Sequence, residues 1–363
     1  MQIPTILLFT LSFVHTVSAA SLNDYQWIGS HNSYKKALPE SVYQYLVGLD
    51  KHAATQLNYG HISLEAQLDS GLRQLEIDVV NDVHGNRYSH PELAVRFGEN
   101  WLNDQEIEQL SKPGFKVLHI PHVDMKSHCF DLTRCLSKLV RWSDDHPKHF
   151  PIVVIMNAKE SQPSFIKRPA PCPFTAQTFN DLDKVIREQM KDKLITPDAI
   201  RGSRGTLREA IVNAGWPDVS VLRGKFLFLF DGNKSQTKRF MQGHAGLAGR
   251  AMFTSLPADD PGAAIMIVND PVINHGEILQ LVSDGFLVRT RADADFSASR
   301  QEKSKQRKAA FSSGAQIIST DFYPGSPQAL RDKYEVSFAK GAVLRTNPFF
   351  TKSQTQHLTQ EKR

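Results

Sequence analysis

Short apolar runs recur along the chain at 25–31 (YQWIGSH), 74–80 (QLEIDVV), 116–120 (KVLHI), 152–158 (IVVIMNA), 225–230 (KFLFLF), 264–269 (AIMIVN), 286–291 (FLVRTR) and 316–321 (QIISTD). Several are β-branched and almost continuously apolar, the pattern of parallel strands buried on both faces. Between them lie stretches of helical periodicity, at 61–72, 131–144, 176–191, 205–214 and 273–283. Strands alternating with helices predict a parallel α/β fold. Eight such strands in one chain predict a single (β/α)₈ TIM-type barrel, assigned to residues 21–345. A doubly wound sheet is the runner-up, disfavoured because no glycine-rich phosphate loop follows the first strand. Polar residues gather where the runs end: His31 and Asn32, Glu76 and Asp78, His119, Asn157 and Lys159, Asp231, Asn269, Arg289 and Arg291, and Asp321. In a barrel those ends converge on one mouth, where active sites sit.

The termini read differently. Residues 4–19 form an apolar run followed by small residues, which predicts a signal peptide over 1–20 and a secreted protein. A membrane anchor would need about 20 apolar residues, and His15 and Ser18 interrupt this stretch. Residues 346–363 are polar without periodicity and predict a loose tail. The net charge of +5 is scattered apart from Lys303–Lys308 (KSKQRK), a solvated helix face or a patch drawn to an anionic membrane. No aromatic and basic residues interleave as single-stranded nucleic acid requires, so no nucleic-acid partner is expected. Three cysteines allow one disulfide at most. Cys129–Cys135 is the natural pair, provided Cys129 precedes a helix capped by Asp131. Six residues along a straight helix span about 9 Å, too far to bridge.

Glu76 and Asp78 stand two apart on one strand and therefore face the same side. Two carboxylates in a low-dielectric mouth resist ionising together. A hard divalent cation resolves that conflict, and the oxygens of Glu76, Asp78 and Asn32 suit Ca²⁺ or Mg²⁺ better than zinc. The alternative is a structural ion pair between Glu76 and Arg73 or Arg289. His31 and His119, from different strands, supply two imidazoles able to divide acid and base roles. His122 competes with His119 for the second role; His119 is preferred because it closes the apolar run.

The segments W-I-G-S-H-N-S-Y (27–34), Q-L-D-S-G-L-R-Q-L-E-I-D-V (67–79) and V-L-H-I-P (117–121) resemble the phosphatidylinositol-specific phospholipase C superfamily, in particular its calcium-dependent, secreted, single-domain branch. Cys135-Leu136, Trp142, His146-Pro147, Trp216-Pro217, 223–225 (RGK), 289–293 (RTRAD) and 313–321 (SGAQIISTD) extend the resemblance over residues 25–325. It implies catalytic roles for His31 and His119 and metal-ligand roles for Asn32, Glu76 and Asp78. The family pattern Glu-x-Lys at the end of strand four is here Asn157-Ala158-Lys159, a neutral amide at a ligand position. Calcium affinity is then expected to fall, or the site uses magnesium or no ion. His61 matches a position this branch often fills with histidine, as a third catalytic or positioning group. Lys159 and Arg289 are expected to hold a phosphate oxygen. The implied substrate is a phosphatidylinositol-type lipid or a glycosylated anchor, met in transient contact with a membrane surface by a monomer. Cleavage gives diacylglycerol and a cyclic inositol phosphate. A glycerophosphodiesterase-like or sphingomyelinase-D-like phosphodiesterase is the competing enzyme. A non-catalytic lipid- or glycan-binding barrel is favoured only by Asn157 and opposed by His31, His119, Glu76 and Asp78.

Overall fold

The most apolar run, Phe226–Phe230, has every side chain buried, and the nine residues Gln74–Asp82 are buried throughout. Strands covered on both faces belong inside a parallel sheet with helices around it. A computed structural model describes residues 20–350 and shows that arrangement. The expected signal peptide and residues 351–363 of the expected tail lie outside the described residues. The strands in chain order are β1 Tyr25–Ser30, β2 Gln74–Asp82, β3 Gly114–Val117, β4 Ile152–Lys159, β5 Leu194–Ile195, β6 Phe226–Phe230, β7 Met252–Thr254, β8 Ile265–Ile267, β9 Leu287–Arg291, β10 Ile317–Thr320 and β11 Leu344–Thr346.

Among the described residues these form two sheets. One runs β11-β1-β10-β9-β8; the other runs β3-β2-β4-β6-β5, with β7 also on β6. Eight strands pair in parallel as two arcs of a (β/α)₈-type barrel, β1-β10-β9-β8 and β2-β4-β6-β7. At one seam the Arg73 N–H donates to the Ile28 carbonyl at 3.2 Å, and the Gln74 amide donates to the Ser30 carbonyl at 2.9 Å. At the other the Ile267 N–H donates to Ser255 Oγ at 3.0 Å.

Two strand assignments differ from the sequence expectation. The run ending at His119 is not a barrel strand: β3 lies antiparallel to β2, with Val117 opposite Val79 and Gly114 opposite Asp82. Periodicity reports burial and carries no direction. The barrel's remaining strand is β7, whose three residues make too short a run to stand out. The C-terminal boundary also moves. β11 pairs antiparallel with β1 up to Thr346, and buried Asn347 donates its N–H to the Asp24 carbonyl at 2.7 Å, so order continues past 345.

Helices cover the outside. Leu132–Asp145 begins where the Asp131 side chain accepts the Arg134 N–H, and it buries the stripe Leu132, Cys135, Leu136, Leu139 and Trp142. Cys129 precedes that helix and is bonded to Cys135 across a Cα separation of 5.5 Å. Ala176–Met190 buries Phe179, Leu182 and Ile186 against the sheet. Among the described residues no helix is long and apolar enough to cross a membrane.

Phe179 is fully buried and packs its ring on Phe230 at 4.9 Å, Phe174 at 5.4 Å and Phe240 at 5.5 Å between centroids. Phe179→Ala is expected to lower the unfolding free energy by about 3–5 kcal/mol in urea titrations. Val221→Ala, at a position 61% exposed, should change it by less than about 0.5 kcal/mol. Equal effects would place Phe179 outside the core.

Candidate active site

β1 delivers His31 to the mouth, and the chain then turns sharply. Asn32 sits at φ 47°, a left-handed conformation that asparagine tolerates better than most residues. The turn is pinned to β2: the Ser33 N–H donates to the Glu76 carbonyl at 2.9 Å, and Ser33 Oγ accepts the Glu76 N–H at 2.7 Å. His31 Nδ1 then lies 3.3 Å from Asp321 Oδ2, at the end of the neighbouring strand β10. With its N–H directed at Asp321, the imidazole leaves Nε2 unprotonated as a base, 3.8 Å from Glu76 Oε1. Burial is the main force that lowers the His31 pKa, to about 3, with Arg291 adding to it and Asp321 opposing. The ring is neutral at pH 7. Burial would raise the Asp321 carboxyl, but His31, His61 and Arg291 hold it well below the usual carboxylate range.

His119 follows β3 by two residues and repeats the arrangement. Its Nδ1 is 2.7 Å from Asp124 Oδ2, and the Lys35 ammonium lies 3.2 Å from the same oxygen. The tight turn 120–124 presents Asp124, with its N–H donating to the Ile120 carbonyl at 2.9 Å. His31 and His119 line one open cavity of about 390 Å³ together with Tyr59, Arg291, His52 and Phe296. His122 points elsewhere. It is buried beside Tyr88, with ring centroids 5.3 Å apart, and is absent from the cavity lining. His61 is also buried behind the mouth, its Nε2 3.4 Å from Asp321 Oδ1 and its Nδ1 3.2 Å from the Tyr323 hydroxyl. It braces the carboxylate that orients His31 and does not line the cavity.

The acidic pair on β2 is neutralised by the protein itself. Glu76 Oε2 receives Arg289 at 3.0 Å, and Glu76 Oε1 receives the Asn157 amide at 3.1 Å. Asp78 Oδ2 receives Lys159 at 2.9 Å and the Tyr34 hydroxyl at 2.9 Å. Burial raises the Glu76 pKa to about 7, against Arg289 and with help from Asp78 and Asp231. Burial works to lower the Lys159 ammonium, and Asp78 and Glu76 more than reverse it. The ion pair weighed as an alternative for Glu76 is thus present, with Arg289 as the partner. Arg289 is only 2% exposed and also donates to Ser319 at 2.8 Å and to Asn269, so it is committed to the wall. The arginine that lines the cavity is Arg291.

Calcium takes six to eight oxygen ligands. Here both oxygens of Glu76 and one of Asp78 are engaged, and Asn157 offers Glu76 its N–H group. Among the described residues, Asn32 Oδ1 and Asp78 Oδ1 stay without a hydrogen-bond partner. No three His, Cys, Asp or Glu side chains among them group closely enough to hold a metal ion. The donor types of Asn32, Glu76, Asp78 and Asn157 suit a hard cation, but their arrangement does not.

The orienting carboxylates escaped the sequence. Asp321 was visible as a strand-end acid without a role, and nothing in the local pattern marked Asp124. Phe296, stacked on Tyr59 at 4.9 Å on the cavity wall, carries no motif.

The model of a family described as phosphoinositide phospholipase C, Ca²⁺-dependent, matches residues 20–348. Among solved structures, a calcium-dependent phosphoinositol-specific phospholipase C from Pseudomonas sp is 18% identical with a TM-score of 0.55, over 90% of this chain and 96% of that one. A calcium-dependent phosphatidylinositol-specific phospholipase C from Streptomyces antibioticus is 18% identical with a TM-score of 0.52, over 84% and 96%. At such identities the likeness is one of fold. No curated protein sequence matches the chain. The match over nearly the whole chain decides the family: the protein belongs to the Ca²⁺-dependent phosphoinositide phospholipase C family.

Proposed function

We propose that the protein cleaves the phosphodiester of phosphatidylinositol-type lipids, with His31 as general base and His119 as general acid. The observation that carries this reading is a pair of imidazoles on one cavity, each oriented through Nδ1 by a buried carboxylate, Asp321 and Asp124. His31 Nε2 takes the proton of an inositol hydroxyl, whose oxygen attacks phosphorus within the same molecule. Intramolecular attack removes most of the orientational cost. The bond from phosphorus to the glycerol oxygen breaks, and His119 gives its proton to that leaving oxygen. The products are diacylglycerol and a cyclic inositol phosphate. Arg291 supplies positive charge on the cavity wall for the non-bridging oxygens.

The reading extends to an exported, monomeric enzyme that meets its lipid at a membrane surface. The apolar run at 4–19 supports export, and so does a disulfide, which persists in oxidising compartments. The segment after β8, on the mouth side of its strand, carries Val272 and Ile273, the latter 80% exposed, which supports lipid contact.

Assay on phosphatidylinositol with product analysis tests this. Diacylglycerol with cyclic inositol phosphate is expected; free glycerol phosphate would favour the glycerophosphodiesterase-like alternative. His31→Ala and His119→Ala should each lower turnover by about 10²–10⁴ while leaving the circular dichroism spectrum unchanged. Activity of either variant within a few-fold of wild type would remove that histidine from the reaction.

A pH profile checks the state of the base. With a His31 pKa near 3, the acid limb of kcat/KM set by this group lies well below the ordinary histidine value of 6.5. Arg291 is a force lowering that pKa, so Arg291→Gln should move the limb to higher pH. A limb that stays in place would show that Arg291 does not act on His31.

A further inference from the structure

Calcium-dependent chemistry of this family presupposes a cation against the carboxylates of the mouth, and here that place is taken by side chains. We propose that Lys159 and Arg289 stand in for the divalent cation, so that this member turns over its substrate without bound calcium; the inference rests on the phosphodiesterase reading above.

Three observations converge. Lys159 is held 2.9 Å from Asp78 and Arg289 3.0 Å from Glu76, so two built-in positive charges meet the two carboxylates that one Ca²⁺ would otherwise neutralise. Lys159 follows Asn157 by two residues on β4 and so faces the same side, while β4 lies in register with β2 and sets Asn157 beside Asp78. The family pattern pairs this lysine with an acid two residues earlier; here the lysine is kept and the acid is Asn157, so the cation stays while one negative charge is lost. Finally, Asn157 turns its amide N–H toward Glu76 at 3.1 Å, so it stabilises the carboxylate as a donor. A glutamate there would add a further negative charge beside Glu76, Asp78 and Asp231, which Lys159 and Arg289 already have to offset. Asp231, at the end of β6, is partly exposed and makes no ion pair among the described residues; burial raises its carboxyl, with Asp78 adding to the rise and Arg289 and Lys159 opposing it. Two open oxygens, Asn32 Oδ1 and Asp78 Oδ1, fall short of a calcium ligand set.

The test uses the full exported chain freed of metal by chelator. Phosphatidylinositol cleavage should be undiminished in chelator compared with calcium. Titration calorimetry with calcium chloride should give no saturable heat up to about 1 mM, the weak end of protein calcium sites. Asn157→Glu should create saturable calcium binding. Lys159→Met should lower turnover in chelator by at least about 10²-fold, as loss of a preorganised charge does. Lys159→Arg should recover part of it, with melting temperatures confirming that both variants fold. Saturable calcium binding to the unaltered chain, with activity lost in chelator, overturns the proposal. Should neither medium give any turnover, the phosphodiesterase reading fails, and the calcium titration still decides whether the unaltered site takes the ion.

Discussion

Burying Glu76 and Asp78 side by side on β2 is the constraint around which the mouth is organised. Each is almost wholly inaccessible, and an unpaired carboxylate in that setting costs several kcal/mol. The solution draws on distant parts of the chain. Arg289 comes from β9, in the other sheet, so the Glu76 ion pair ties the two arcs of the barrel together. Gln74 on β2 does the same as it accepts the Ser319 hydroxyl of β10 at 2.5 Å. Charge neutralisation and barrel assembly are therefore one event. Removing either partner would leave the other buried and uncompensated, the costly half of any buried ion pair.

His31 follows the same rule with a different outcome. Its imidazole avoids the cost of burial by staying neutral, which leaves it a base at pH 7. The carboxylate behind it fixes which nitrogen faces the cavity. For His31 that carboxylate is shared: Asp321 also meets Arg291 at 3.4 Å and His61 at 3.4 Å, so His31 is not the only group that holds its charge. For His119 the equivalent support is Lys35, whose ammonium donates to the Tyr59 and Leu57 carbonyls at 2.5 and 3.0 Å besides meeting Asp124. The two supports are joined: the His61 N–H donates to the Lys35 carbonyl at 2.8 Å, and Lys35 lies over the Tyr59 ring that stacks on His31.

Much of the barrel was legible because a strand buried on both faces must be apolar almost without interruption. Phe226–Phe230 and Ile152–Ile155 admit few other readings. The strand-end rule then placed His31, Glu76, Asp78 and Asp321 at one mouth. What failed did so for identifiable reasons. β7 is three residues long, below the length at which a run separates from background. β3 looked like its neighbours because alternation says nothing about polarity, yet its reversal is what sends His119 back over the mouth. Arg289 and Arg291 share one side of β9, and only their depth in the barrel decides that the first is wall and the second lines the cavity. Asp124 lies in a turn five residues beyond His119, and its meaning depends on that turn's geometry.

These failures share a cause that bears on the family resemblance. Motifs record which residue stands at each strand end, while function depends on the charge summed over all of them. The ends of β2, β4, β6 and β9 meet in one small volume, so an acid removed from β4 alters the balance for Glu76 on β2 and Arg289 on β9 alike. A position-by-position comparison sees Asn157 as one lost ligand. Summed over the mouth, the same change leaves Lys159 and Arg289 facing Glu76, Asp78 and Asp231 with one acid fewer to offset. A barrel can keep its histidines and its fold and still change what balances the charge beneath them.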